Sequence, residues 1–248
     1  MDGLEQALVE CAPGHAVARA TGDAEEVLFV VSGTGELWVG GEGHALEPET
    51  GVNLGPGQDY ELRNETSDPM RTVCVRIRAS PDPVAGRDDE RAAGGAVDQG
   101  DGRVPDPAAG GAAERDGRIV VRRLADQQAQ DATTDRMFRI VADPSTGLRS
   151  ATHFVGYVPP GRAPDHFHTY DEVIYVLDGE GAMHIGAEHT PVGAGSRIEL
   201  PARTVHCLEN TGDRVLRLVA VFTPAGSPAA AYFPDGTPAY PGTPHLTI

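Results

Sequence analysis

The sequence predicts an all-β protein made of two copies of one barrel. Three observations carry that prediction. From residue 15 to residue 78 short, valine-rich apolar runs are broken by glycine turns: V-L-F-V-V, S-G-T-G, E-L-W-V-G-G and later R-T-V-C-V-R-I-R. That is the rhythm of a sandwich or barrel. Val73, Val75 and Ile77 share one parity against Thr72, Cys74 and Arg76, the alternation of a half-buried antiparallel strand. Finally, residues 26–40 (E-V-L-F-V-V-S-G-T-G-E-L-W-V-G) align without a gap on residues 172–186 (E-V-I-Y-V-L-D-G-E-G-A-M-H-I-G), with the glutamate and three glycines matching in place.

In chain order, residues 1–79 hold the first barrel. Residues 80–117 are dominated by glycine, alanine, proline and acids, with almost no large apolar side chain to bury, which marks a linker or disordered insertion. Its Asp88, Asp89 and Glu90 cluster reads as a solvated charge run. The second barrel, residues 118–248, begins with R-I-V-V-R-R-L, and M-F-R-I-V-A-D and S-A-T-H-F-V-G-Y-V supply two more strands. The closing strand, R-V-L-R-L-V-A-V-F, is apolar almost throughout, as burial on both faces requires. From Pro224 onward, proline and glycine predict a tail that wraps the surface without regular structure.

Composition removes whole classes of function. With 37 acidic and 20 basic residues the formal net charge is −17, and every basic residue is an arginine. That balance argues against nucleic acid, whose binding needs basic patches to neutralise phosphates. The absence of lysine excludes Schiff-base nucleophiles, enzyme-bound pyridoxal phosphate, Walker-type phosphate loops and S-x-x-K sites. Cys11, Cys74 and Cys207 are odd in number and widely spaced, so no disulfide framework is expected. The start, M-D-G-L-E-Q, is acidic where a signal peptide is basic, and no apolar run reaches the length of a membrane span. The expectation is a soluble, cytoplasmic protein without a membrane partner.

The chemistry concentrates in residues 161–210, which read G-R-A-P-D-H-F-H-T-Y-D-E-V-I-Y-V-L-D-G-E-G and, after a hairpin, G-S-R-I-E-L-P-A-R-T-V-H-C-L-E-N. On an extended segment His166 and His168 point to one face and Phe167 to the other. With Glu172 four residues on and His206 from a separate strand, they form an all-N/O donor set suited to a divalent first-row metal. Cys207 follows His206 directly, but strand alternation turns it away from the metal and into the core.

These spacings resemble the cupin superfamily. Its first motif, a glycine, H-x-H, three or four residues, E, six residues and G, is matched by Gly161, His166, His168, Glu172 and Gly179. Its second is matched by Gly195, Pro201, His206 and Asn210. Gly161 sits one residue too close to His166, and Arg203 occupies the glycine place after Pro201. The resemblance implies two double-stranded β-helix (jelly-roll) barrels, a bicupin, and metal ligation by His166, His168, Glu172 and His206. It implies one divalent transition metal, iron(II) before manganese, nickel, zinc or copper, and a small-molecule substrate chelated to it. Activities across the family are diverse. The expectation is a metal-dependent enzyme leaning to a dioxygenase, with an O2-independent isomerase, lyase or hydrolase and a non-catalytic sugar or small-acid binder as alternatives. Glu172 and Tyr170 are the catalytic candidates, Tyr170 either facing the pocket as a donor or packing its ring under the motif loop. The assembly is either a monomer with pseudo-dimeric barrels or a homodimer.

The first copy has lost this set. Where His166 and His168 stand it offers residues in the span 19–22, and where His206 stands it has Tyr60 or Glu61; Glu26 alone survives, and His15 lies too far upstream. One carboxylate makes no transition-metal site, so the first barrel is expected to be structural, covering a face of the second. Arg162 and Arg197 are either carboxylate clamps or surface residues, and His153 either an acid–base group or a core histidine. Tyr175 and Met183 read as core packing, and His184 as a packing position because Trp38 is its counterpart.

Overall fold

The structure is a computed structural model that describes residues 3–78, 119–132 and 135–246, so the linker expected over 80–117 lies outside the described residues. The first half forms β1 (Leu4–Cys11), β2 (His15–Ala20), β3 (Glu25–Ser32), β4 (Gly35–Val39), β5 (Glu42–Leu46), β6 (Thr50–Leu54), β7 (Asp59–Asn64) and β8 (Met70–Ile77). A short β9 (Val120–Arg123) follows. The second half forms β10 (Ala129–Asp131), β11 (Met137–Ala142), β12 (Thr152–Val158), β13 (Asp171–Asp178), β14 (Glu180–Ile185), β15 (Glu188–Gly193), β16 (Arg197–Leu200), β17 (His206–Asn210) and β18 (Leu216–Thr223). No helix among the described residues is long and apolar enough to cross a membrane.

The two halves repeat one topology. In the first, sheet β1-β8-β3-β6 lies over sheet β2-β7-β4-β5; in the second, β12-β18-β13-β16 lies over β15-β14-β17, with the His166–His206 bridge in the place of β2 against β7. The fold is all-β with two jelly-roll barrels, as the repeat predicts. One strand departs from expectation. β9 pairs antiparallel with β6 (Thr50 opposite Arg123) and so extends the first barrel's sheet rather than opening the second barrel.

Alternation along the central strands explains the continuous apolar runs. Leu28 and Val30 of β3 and Cys74 of β8 point into the first barrel, while Val27, Phe29, Val73, Val75 and Ile77 point the other way. In the second half Ile174, Val176, Leu218, Ala220 and Phe222 fill the barrel, and Val173, Tyr175, Val219 and Val221 face outward. The two outward sets meet in one core between the barrels, to which Leu124, Val141 and Leu148 also contribute. β8 is therefore buried on both faces rather than half-buried, Thr72 and Cys74 being as inaccessible as the valines. At the edge of this interface the Glu25 carboxylate accepts the backbone N–H groups of Arg149 (2.8 Å) and Ser150 (2.9 Å) together with the Ser150 hydroxyl.

The matching glycines have a shared steric cause. Gly33 and Gly179 have φ of 75° and 94°, and a Cβ there would stand 2.3 Å from the Pro69 carbonyl oxygen and 2.8 Å from Leu216 Cα respectively. The matching asparagines also serve the fold. Asn64 donates to the carbonyls of Cys11 and Asp68, and Asn210 to those of Val158 and Arg214, tying each loop to the strand beside it.

Candidate metal centre

His166 and His168 lie on the segment entering β13, and His206 opens β17. Backbone hydrogen bonds in both directions join His166 to His206, at 3.0 and 2.8 Å. Arg203 takes the left-handed backbone that the glycine place demands, with φ of 64°, and its N–H donates to the His168 carbonyl at 2.7 Å. A non-glycine residue in that region stores on the order of 1 kcal/mol of strain. The turn is thus held in register with the ligand loop by a bond to the ligand's own backbone.

The three imidazoles converge, with their ligand atoms all within 4.8 Å of one another. Each ring is held by a backbone carbonyl: His166 Nδ1 lies 2.9 Å from Pro164 O, His168 Nδ1 2.7 Å from Ala230 O, and His206 Nδ1 2.8 Å from Thr204 O. A carbonyl only accepts, so each Nδ1 carries the hydrogen and each Nε2 keeps its lone pair free. Burial lowers the basicity of all three, His168 to about 3 and His206 to about 4, with neighbouring histidines adding to the shift at these last two. The rings are neutral at pH 7, as ligation requires.

Glu172, on β13, lines the same cavity but is not one of the three groups that meet within 4.8 Å. Its side chain is buried and has no hydrogen-bond partner among the described residues, and burial raises its pKa to about 8. A buried carboxylate with no donor is costly to ionise, and a cation beside it relieves that cost. Three free imidazole nitrogens and one orphaned carboxylate fit a divalent transition metal. No metal's identity follows from this donor set.

The enclosing cavity measures about 100 Å³ and is mainly apolar, with Phe138, Phe154, Ile174, Met183 and Leu218 among its walls. Tyr170 is among the residues lining the cavity, and its ring stacks on His168 (centroids 4.7 Å apart) and on Phe222 (3.9 Å). Met183 joins it on the wall, whereas Tyr175 belongs to the core between the barrels. His153 is in that core too, edge-on to Phe29 at 5.9 Å and away from the cavity, its pKa pushed down to about 3 by burial. Arg162 is exposed and paired with Asp165 at 2.9 Å, and Arg197 is exposed on β16; neither lines the cavity. His184 pairs with Glu209 at 2.7 Å, and the Cys207 thiol turns away to the Ala163 carbonyl at 3.0 Å.

Sequence reasoning missed the contribution of the tail. Among the described residues it forms no helix or strand, as expected, but it is more than a surface wrap: it pairs Tyr232 with Phe167 through two 2.9 Å backbone bonds, delivers the Ala230 carbonyl to His168, and lines the cavity with Pro228, Ala229 and Tyr240. Arg136, just before β11, was missed as well. It lines the cavity and donates to the Leu208 carbonyl at 2.8 Å. Neither had a motif: backbone carbonyls carry no sequence signal, and an arginine in a polar stretch resembles any surface arginine.

Comparison with known proteins agrees with this geometry. Among solved structures, protein Ylba of E. coli superposes with a TM-score of 0.64 at 13% identity over 89% of this chain and 77% of its own. AerE from Microcystis aeruginosa gives 0.63 at 14% identity, covering 89% and 88%. A mutant of Bacillus subtilis oxalate decarboxylase gives 0.62 at 15% identity, covering 89% and 69%. At such identities the likeness is one of fold. Among curated proteins, auxin-binding protein 1 of Arabidopsis thaliana is 28% identical over 76 residues, 27% of this chain and 38% of that protein. An uncharacterized protein of Streptomyces coelicolor is 37% identical over 60 residues, 24% of this chain and 56% of that protein. The chain thus spans less than two thirds of either relative. The cupin domain pattern matches residues 7–76 and again residues 153–222, more than half of the sequence, and the chain belongs to the cupin family.

Proposed function

We propose that the second barrel is a metal-dependent enzyme centre for a small, oxygen-rich substrate that chelates the metal, with dioxygenase chemistry as the leading reading. The observation that carries it is the convergence of three neutral, backbone-held imidazoles on the wall of a mainly apolar cavity. His166, His168 and His206 would hold the ion, iron(II) first and manganese, nickel, zinc or copper after it, and leave positions open for substrate. When bound, the metal supplies Lewis-acid polarisation of a chelated oxygen and a place for O2 beside the substrate. The chain does the rest. Its apolar walls exclude water, which strengthens every charge interaction inside. Glu172 either joins the ligands or moves a proton at its carboxyl oxygens, since a pKa of about 8 suits transfer near neutrality. Tyr170 adds a phenolic donor at the cavity wall.

Glu172 also favours a second reading, Lewis-acid isomerase, lyase or hydrolase chemistry without O2, because an orphaned carboxyl that titrates near neutrality is an acid–base group in its own right. The fold-level likeness to a decarboxylase of oxalate, a small carboxylate, is compatible with it.

The test is elemental analysis of protein purified without added metal, followed by turnover of small hydroxy and keto acids, catechols and flavonols with and without O2. One metal per chain and turnover that stops anaerobically are expected. Turnover that persists without O2 sinks the dioxygenase reading and supports the second. A His166→Ala variant that binds its ligand with unchanged affinity would end any metal-centred function and leave a small-molecule binder.

A further inference from the structure

We propose that Arg136 sets the charge of the substrate: it anchors the carboxylate of a small acid where the histidine cavity adjoins an outer cleft. This rests on the metal-centre reading and adds to it a substrate class and the residue that selects it.

The site has two chambers. The inner one, about 100 Å³, holds the histidines, and the outer cleft measures about 750 Å³. Ala132, Arg136 and Tyr240 line both, so the two cavities adjoin at these residues. Among the described residues Arg136 is the sole arginine on the inner wall, and no carboxylate lies within ion-pair distance of it. Asp131 and Asp135 line the outer cleft without reaching its guanidinium. In a chain with 37 acids to 20 bases, a partly buried arginine left without an acidic partner is conspicuous. By contrast, Arg162 of the same cleft is exposed and already neutralised by Asp165.

The guanidinium is also positioned for the task. One N–H is spent on the neutral Leu208 carbonyl at 2.8 Å, which fixes the plane, and the remaining donors of the fork stay available for a planar carboxylate. Its positive charge is felt at both His166 and His206, which places anchor and metal ligands in one electrostatic site. Phe138, Phe154 and Leu218 offer an apolar wall beside it. The ligand that matches is a small monocarboxylate with an apolar body and a further oxygen for the metal.

Calorimetric titration tests this with pyruvate and 2-oxobutanoate against the neutral pyruvamide, on manganese-loaded and on metal-free protein. In the loaded wild type the acids should bind at least about tenfold tighter than the amide. Arg136→Gln should weaken the acids about ten- to a hundredfold, the range for a hydrogen bond to a charged group, and leave the amide unchanged. Arg136→Lys should recover part of the loss, because charge returns without the fork. Circular dichroism on each variant confirms that it is folded. Equal binding of acid and amide by the wild type, no binding of either acid, or an Arg136→Gln variant that binds the acids normally would each overturn the proposal. Metal content, measured on the same samples, scores the metal-centre reading separately. Discrimination that survives in metal-free protein would keep the anchor even if that reading fails.

Discussion

The two barrels place different residues at equivalent points, and the difference shows what the metal site replaces. Arg19 lies opposite Tyr60 in the first barrel as His166 lies opposite His206 in the second, and Glu26 occupies the position of Glu172. Between them Thr21, at the place of His168, gives its hydroxyl to the Gly55 carbonyl at 2.9 Å. The Arg19 guanidinium reaches inward, 2.6 Å from Glu26 and 2.8 Å from the Tyr60 hydroxyl. Both barrels thus bury a carboxylate on the same strand. The first balances it with a cation of its own, whereas the second leaves it bare beside three imidazoles. A guanidinium is a permanent cation with no lone pair to offer a metal, so the first barrel holds an internal counter-charge where the second holds imidazole donors.

The comparison can be broken most directly at a ligand. His206→Ala should weaken metal binding by more than the 10–100-fold that loss of an outer partner typically costs, roughly a thousandfold or more, with the fold intact. Calorimetric metal titration beside a circular dichroism spectrum reads this, and near-normal metal affinity would place the centre elsewhere. In the first barrel the same kind of truncation should act on stability and not on metal. Arg19→Ala leaves Glu26, which is wholly inaccessible, without its counter-charge, and should cost about 3–5 kcal/mol in urea denaturation, towards the lower end because Arg19 keeps 23% of its side chain exposed. An unchanged midpoint would mean that Glu26 does not need the guanidinium. The smallest effect is in pH dependence. Glu172 has its pKa raised to about 8, so the folded metal-free chain retains a proton that the unfolded chain releases. Its contribution is full below the ordinary carboxylate range and is lost as pH rises through about 8. From about pH 7.5 to about 8, above the range in which the histidines of the unfolded chain give up their protons, metal-free protein should lose stability with a slope that Glu172→Gln reduces; thermal melts across that window check it. A slope unaffected by the substitution would assign it to another group.

Much of this was written in side-chain pattern. The repeat at residues 26–40 and 172–186 gave the duplication because strand period and turn glycines recur with fixed spacing, and the same steric contacts enforce Gly33 and Gly179. His166, His168 and His206 were legible because a two-residue spacing on an extended segment puts both rings on one face. The counterpart of His166 was not. One extra residue in the first copy left positions 19–22 open, and only the pairing of Arg19 with Tyr60 resolves them.

By itself, then, the sequence determined the all-β duplicated architecture and the imidazole donors, since both follow from local periodicity and from which residue types can bind a metal. Tertiary structure decided three things that depend on contacts between distant segments. It sent β9 to the first barrel's sheet, because an edge strand pairs with whichever partner the fold brings alongside. It seated the tail against the motif loop, where the Ala230 carbonyl, which no side chain announces, fixes the hydrogen on His168. And among the described residues it left the Arg136 guanidinium and the Glu172 carboxyl without ionic partners while lining one cavity, which depends on who their neighbours are rather than on what they are.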